Sequence, residues 1–348
     1  RDWSSDVCSS DLKFDGNGAA EIWLIQGDKT IYYSQPNVDS RFVAATFSDF
    51  RTIDLQLSQD IALTSGANDF SLTNGPKVIS VKNLNGTEKA TSYVQLTLDS
   101  DVVIGTNYTV THPKFGAYLV DDNKIYDSPS FAEKYTYSGD DLGATYTKEK
   151  TKFRLWAPVA SSVSLVTYSS AAASSGISIP MKSDLNGTWV AEISGDQDGL
   201  VYTYKVAVGG NTNEAVDPYA RAVTINGKRG VVVDLGTTNP VGWNKTKPTF
   251  SGKPTDAIIY ELHVRDLSMD ASAPFPKEAR GKYTAFTYTN LKGSKGQPVG
   301  VAAIKDLGVT HVQLLPVFDF ASVDESDPSF NWGYDPQNYN VQIGRAHV

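Results

Sequence analysis

At 348 residues the chain has room for two or three domains. Its net charge of −8 and pI near 5.1 argue against nucleic acid or an anionic membrane surface as a partner. A single cysteine, Cys8, excludes a disulfide framework or a Cys-based zinc site, and no apolar run is long enough to span a bilayer.

The termini come first in chain order and distort the composition. One possible coding of residues 343–348, read on the opposite strand, translates as Asp-Val-Cys-Ser-Ser-Asp, the string found at residues 6–11. A Gln342 codon read the same way gives Leu12. The shared segment resembles a sequencing-library adapter. Residues 1–12 and 342–348 are therefore expected to be adapter-derived, leaving natural sequence from about Lys13 to Val341.

Eighteen Tyr and fourteen Phe against two Met favour β-rich modules. Strands are predicted over 21–25, closed by Gly27-Asp28, and over 31–33. From 42 to 137 short strands recur. Ile53, Leu55 and Leu57 alternate with Asp54 and Gln56, while Asn74-Gly75-Pro76 and Asn85-Gly86 supply turns. Further strands are predicted over 93–98 and 108–111, and the region reads as an immunoglobulin-like β-sandwich. A second all-β sandwich is predicted over 138–245. There Phe153 and Leu155 alternate with Lys152 and Arg154, and Tyr202, Tyr204, Val206 and Val208 share a face. Asn186-Gly187 marks a turn and Asp217-Pro218-Tyr219 a corner, and no helix of convincing length is read between 138 and 243.

After residue 245 the pattern changes. Ala257-Ile258-Ile259-Tyr260 is a near-continuous apolar run, as expected of a strand buried on both faces. Val301, Ile304 and Leu307 fall at helical spacing, Gly308 stands at the C-terminal stop, and 309–317 reads as a second buried strand. Strand, helix, strand implies a parallel sheet and the start of an α/β domain. Residues 246–341 are too few for a whole (β/α)8 barrel of about 250 residues.

Several of these segments resemble a known family. Phe153-Arg154-Leu155-Trp156-Ala157-Pro158 and Asp217-Pro218-Tyr219-Ala220 resemble the CBM48-like β-sandwich that precedes debranching and branching enzymes. Ile259-Tyr260-Glu261-Leu262-His263-Val264-Arg265-Asp266 and the run from Gly308 to Val317 are similar to barrel strands 1 and 2 of glycoside hydrolase family 13. Phe330-Asn331-Trp332-Gly333-Tyr334-Asp335-Pro336 is similar to a signature segment of the type I pullulanases. Residues 13–41 resemble the tail of a CBM41 starch-binding module. The resemblance implies a multidomain protein: β-sandwiches, then the first part of a (β/α)8 TIM barrel truncated at 341.

The activity so implied is retaining hydrolysis of α-1,6-glucosidic bonds in pullulan, amylopectin or glycogen, outside the cell or at its surface, with no organic cofactor. A branching enzyme, an amylopullulanase and a non-catalytic starch-binding protein are the alternatives. Retaining hydrolysis needs two carboxyl groups about 5–5.5 Å apart. The family places them on strands 4 and 5, with a further Asp on strand 7. All three are expected beyond Val341, so no catalytic residue is assigned here. From spacing alone Trp332 and Tyr334 read as loop anchors. The resemblance makes Tyr334 a sugar platform and Asp335 an acceptor for sugar hydroxyls. His263 and His311 read as core histidines rather than general bases, and Glu261 and Asp266 as structural polar groups. Trp23 and Trp189 read as core residues before glucan contacts. The acidic loop 319–327 reads as solvated charge, with a structural calcium ion as its functional alternative.

Overall fold

A computed structural model describes residues 40–63, 69–86, 90–243, 248–327 and 329–342, with the backbone of two short strands before them. Those strands, β1 (Trp23–Leu24) and β2 (Ile31–Tyr32), pair antiparallel. Apart from residues 40 and 41, the rest of 13–41, with its CBM41-like reading, lies outside the described residues, as do the side chain of Trp23, residues 1–12 and residues 343–348. The chain divides into two compact units, 1–136 and 137–348.

In the first unit β3 (Phe42–Asp49), β4 (Thr52–Ala62), β7 (Ala90–Leu98) and β6 (Val78–Asn83) form one antiparallel sheet in that order. A second sheet joins β5 (Ser71–Thr73), β8 (Thr109–His112) and β9 (Gly116–Leu119). The alternation in β4 does what its period requires: Ile53, Leu55 and Leu57 are buried with Val94, Leu96 and Val110 in one core between the sheets. This is a four-on-three β-sandwich. One element departs from expectation. Pro129–Tyr135 is a short helix, α1, capped by the Ser128 hydroxyl, which accepts from Phe131 N at 3.1 Å. Ser-Pro at its start is the capping signal with proline at the first helical position.

In the second unit β10 (Gly143–Tyr146), β11 (Lys150–Trp156), β15 (Thr188–Ser194) and β14 (Lys182–Ser183) make one sheet in that order. The facing sheet orders β13 (Ile177–Pro180), β12 (Ser162–Tyr168), β16 (Val201–Val208), β19 (Gly230–Val231) and β18 (Ala222–Val223), and β17 (Asn211–Ala215) also pairs with β16. Phe153, Leu155, Leu165, Tyr202 and Tyr204 fill the space between them. Trp189 packs against this core and donates its Nε1–H to Ala157 O at 3.0 Å, as a core tryptophan should.

Arg154 corrects the simple alternation. Expected on the outer face with Lys152, it is buried. Its guanidinium donates to Asp141 at 3.0 Å, to Asp184 at 2.7 Å and to the Thr188 hydroxyl at 2.7 Å, and it lies over the Tyr137 ring. Two carboxylates and a hydroxyl give the buried cation the partners it needs. Burial pushes the Asp141 carboxyl up, but hydrogen bonds from Tyr137, Lys152 and Arg154 outweigh that and hold it at about 2. At the corner, Asp217 is buried and accepts from Tyr202 Oη at 2.8 Å, Tyr204 Oη at 3.3 Å and Tyr219 N at 2.8 Å. Burial raises its carboxyl above the usual range despite those donors.

Beyond the sandwich, β20 (Ile259–Leu262) and β21 (His311–Leu314) pair parallel through the connecting helix α2 (Val301–Asp306). Gly308 closes the helix, its N–H reaching Lys305 O at 3.1 Å. Parallel pairing agrees with the sequence reading; burial does not. Ile259, Tyr260, Val312 and Leu314 are 60%, 37%, 44% and 42% exposed. The described residues form a single βαβ unit here, and nothing among them covers both faces of its two-stranded sheet. His311 is likewise exposed rather than in a core: Nδ1 meets the Thr310 hydroxyl at 2.8 Å and its ring meets the edge of Phe250. A final antiparallel hairpin, β22 (Phe318–Phe320) with β23 (Pro336–Gln342), follows.

Candidate functional site

The segment between β22 and β23 carries Tyr334 and Asp335. Its shape comes from Asn331 and Gly333. Asn331 Oδ1 accepts the Gly333 N–H at 2.6 Å, and Asn331 Nδ2 donates to the Ser322 hydroxyl at 2.9 Å. Asn331 O meets His263 Nε2 at 2.8 Å, tying the turn to the end of β20. His263, half-buried just past β20, thus holds a backbone carbonyl as the sequence predicts. Gly333 has φ of 86°, and a Cβ there would collide with the Pro316 carbonyl, so only glycine fits.

Held in this way, Tyr334 projects its ring into solvent, 67% exposed. Asp335 faces inward over the loop: Oδ2 accepts Ser322 N at 2.9 Å, and its carbonyl accepts Ala321 N at 2.9 Å. Hydrogen bonding to Ser322, helped by Asn331, outweighs the desolvation penalty and keeps the carboxyl below its usual range. Asp335 therefore braces the turn while Tyr334 presents a free aromatic face. Trp332 is also exposed, its ring edge-on to Phe330 at 5.2 Å, and Phe330 lies under the Arg265 guanidinium. Glu261 accepts from Gln313 Nε2 at 3.2 Å across the parallel pair, and Asp266 lies 3.8 Å from both His263 and Arg265. Both are structural polar groups, as read from the sequence.

The acidic loop is more than solvated charge. Asp319 is buried and accepts from Asn338 Nδ2 at 2.7 Å. Asp324 accepts from Ser326 and from Asn226 Nδ2, and the Glu325 carboxylate takes the Asn226 N–H. Among the described residues no three His, Cys, Asp or Glu side chains converge on a metal position. Asn226-Gly227, an Asn-Gly pair like three others read as turns, is the signal that sequence reading passed over.

Residues 141–220 match the carbohydrate-binding module 48 family, described as the isoamylase N-terminal domain. Those residues, called module 48 below, are similar to a family 48 module. The chain is 39% identical over 217 residues to pullulanase of Bacillus subtilis strain 168, covering 62% of this chain and 29% of that protein. Pullulanase of Klebsiella pneumoniae is 36% identical over 196 residues, covering 53% of this chain and 17% of that one. Among solved structures, pullulanase from Bacillus acidopullulyticus superposes with a TM-score of 0.73 at 30% identity, over 87% of this chain and 50% of that one. Pullulanase from Paenibacillus barengoltzii, in complex with maltohexaose and alpha-cyclodextrin, is 50% identical with a TM-score of 0.59, over 63% and 34% of the two chains. The chain is a pullulanase relative that spans less than a third of the curated relatives cited. Within module 48, Arg154 and Asp217 occupy the two motifs that carried the resemblance, and both are spent on internal bonds. Trp156, 42% exposed with its Nε1 on Asn186 O at 3.1 Å, is the module's exposed tryptophan among the described residues.

Proposed function

We propose that this chain is the substrate-positioning part of a retaining α-1,6 debranching glycoside hydrolase acting on pullulan, amylopectin or glycogen outside the cell. Its own role is to present an α-glucan to carboxylates that lie outside residues 13–341. The observation that carries the reading is the exposed Tyr334 ring on a turn braced by Asn331, Gly333 and Asp335 just beyond a parallel strand pair. The C-terminal ends of parallel strands are where barrel active sites form. A flat ring there offers its face to the axial C–H edge of a pyranose, excluding water and orienting the sugar. Asp335 contributes by stiffening the turn, and its free lone pairs remain available to a sugar hydroxyl. Calcium has no assigned site in this reading.

Pullulan affinity electrophoresis of the whole chain tests it. Tyr334→Ala should weaken retardation roughly tenfold, about 1.4 kcal/mol, whereas Tyr334→Phe, which keeps the ring face, should change it little. The chain itself should release no reducing sugar from pullulan. Equal retardation of wild type and Tyr334→Ala would remove the platform; hydrolysis by the purified chain would overturn the placement of the carboxylates.

A further inference from the structure

We propose that the Asn226–Gly227 turn of the second sandwich, just past the residues that match family 48, is a positioning element for the Tyr334 turn, so that the sandwich sets the orientation of the sugar platform through two hydrogen-bonded contacts. The inference rests on the reading of Tyr334 as that platform. It begins with backbone geometry. Asn226 and Gly227 stand at φ of 59° and 60° in the short turn between β18 and β19. That conformation turns two polar faces of the sandwich toward the hairpin.

Asn226 makes the first contact. Its backbone N–H goes to the Glu325 carboxylate, its Oδ1 accepts Glu325 N at 2.8 Å, and its Nδ2 donates to Asp324 at 3.2 Å. The reciprocal pair with Glu325 joins points 99 residues apart in the sequence. Gly227 makes the second. Its carbonyl accepts Asn338 Nδ2 at 3.2 Å, and the same amide also donates to buried Asp319 at 2.7 Å. A Cβ on Gly227 would overlap the Asn338 and Asp319 side chains, so the approach is as close as a residue without a side chain allows. Asp319 and Asn338 face each other across β22 and β23. Val341 of β23 is buried with Ala220 and Val223 of the sandwich, giving the contact an apolar base.

From this seat the path to Tyr334 is short. Phe320, next to Asp319, pairs with Pro336, and Ala321 and Ser322 bond to Asp335. Asp335 and Gly333 flank Tyr334. A side chain that must meet a sugar within a fraction of an ångström depends on such a supporting layer. The Asn226 amide is engaged with Asp324 and Glu325, and Gly227 has no side chain, so their effect reaches the ligand through Tyr334.

Asn226→Gly tests this without adding strain, since glycine accepts the same φ while both side-chain bonds are lost. Asn338→Ala breaks the second contact from the hairpin side. In the whole chain, NMR ring signals of Tyr334, identified by Tyr334→Phe, should move on addition of maltohexaose. Both variants should lose that response and bind pullulan about fivefold more weakly. The ring signals of Tyr202 and Tyr204 in the module core should stay where they are in wild type. If Tyr334→Ala weakens binding but Asn226→Gly and Asn338→Ala both bind and respond as wild type, the positioning role is wrong. If Tyr334→Ala itself leaves affinity unchanged, the platform reading fails, and this inference with it. Should Asn226→Gly disturb the core tyrosines, Asn338→Ala decides: normal affinity overturns the proposal, and weakened affinity with an undisturbed core supports it.

Discussion

Module 48 and the parallel pair that follows it are built from similarly apolar strands, yet they end in opposite states. In β16, Tyr202 and Tyr204 are 1% exposed, whereas in β20 Ile259 is 60% exposed. The difference is one of pattern. A strand that alternates needs a single apolar partner surface, and the facing sheet of the same sandwich supplies it within about a hundred residues. A strand apolar on both faces needs two covering layers. Residues 248–342 provide one six-residue helix, a hairpin and a few buried apolar side chains, among them Leu262, Phe275, Ala279, Ala285 and Leu315. Local sequence completes the first kind of strand and leaves the second dependent on more distant partners.

Hydrogen exchange should show the contrast most strongly. Amides of β12 and β16 are expected to exchange ~10³-fold more slowly than those of β20 and β21, reflecting opening free energies that differ by about 4 kcal/mol. Equal protection would mean that the parallel pair is covered in solution and the comparison does not hold.

The next largest effect tests what closes the module. Asp217→Ala leaves the Tyr202 and Tyr204 hydroxyls without their acceptor in the core, at a cost of about 2–4 kcal/mol. Asp217→Asn keeps an acceptor and should cost roughly half as much. Burial, and then the Asp217 charge, raises both tyrosines well above the ordinary phenol range. Their contribution to stability is therefore fully present below the unfolded tyrosine pKa of 10.0 and is lost as pH rises above it. Urea melts of wild type and both variants, monitored by tyrosine absorbance from pH 7 to 11, measure both effects. A normal melt for Asp217→Ala would make the corner incidental.

The smallest effect sharpens the same point from the acid side. Asp141 sits at about 2 when folded, against 3.8 as its ordinary value. Its stabilisation is present above 3.8 and is lost as pH falls from there toward 2. Since the carboxylate is part-exposed, about 1 kcal/mol is expected. Thermal melts of wild type and Asp141→Asn between pH 2 and 5 should converge at the acid end. A constant gap between them would assign the difference to something other than this titration.

What the sequence determined alone was whatever repeats with a local period or sits in a short motif. Ile53, Leu55 and Leu57 marked their buried face, Asn186-Gly187 its turn and Gly308 its helix stop, because each depends on neighbours within a few residues. The motif around Asn331-Trp332-Gly333-Tyr334 likewise pointed to the turn that carries the candidate platform. Tertiary structure decided the rest. Arg154 reads as an outward residue until Asp141 and Asp184 close on it from 13 and 30 positions away. Asp335 reads as a sugar acceptor, and only the fold shows Ser322 holding one of its oxygens so that it also braces the turn. His311 reads as a core residue until its strand is found uncovered, and the acidic loop reads as free charge until Asn226 meets Glu325 across 99 residues. In each case the chain's local pattern fixes which groups are available, while the partner that gives a polar group its role is chosen by a long-range approach that no local period records.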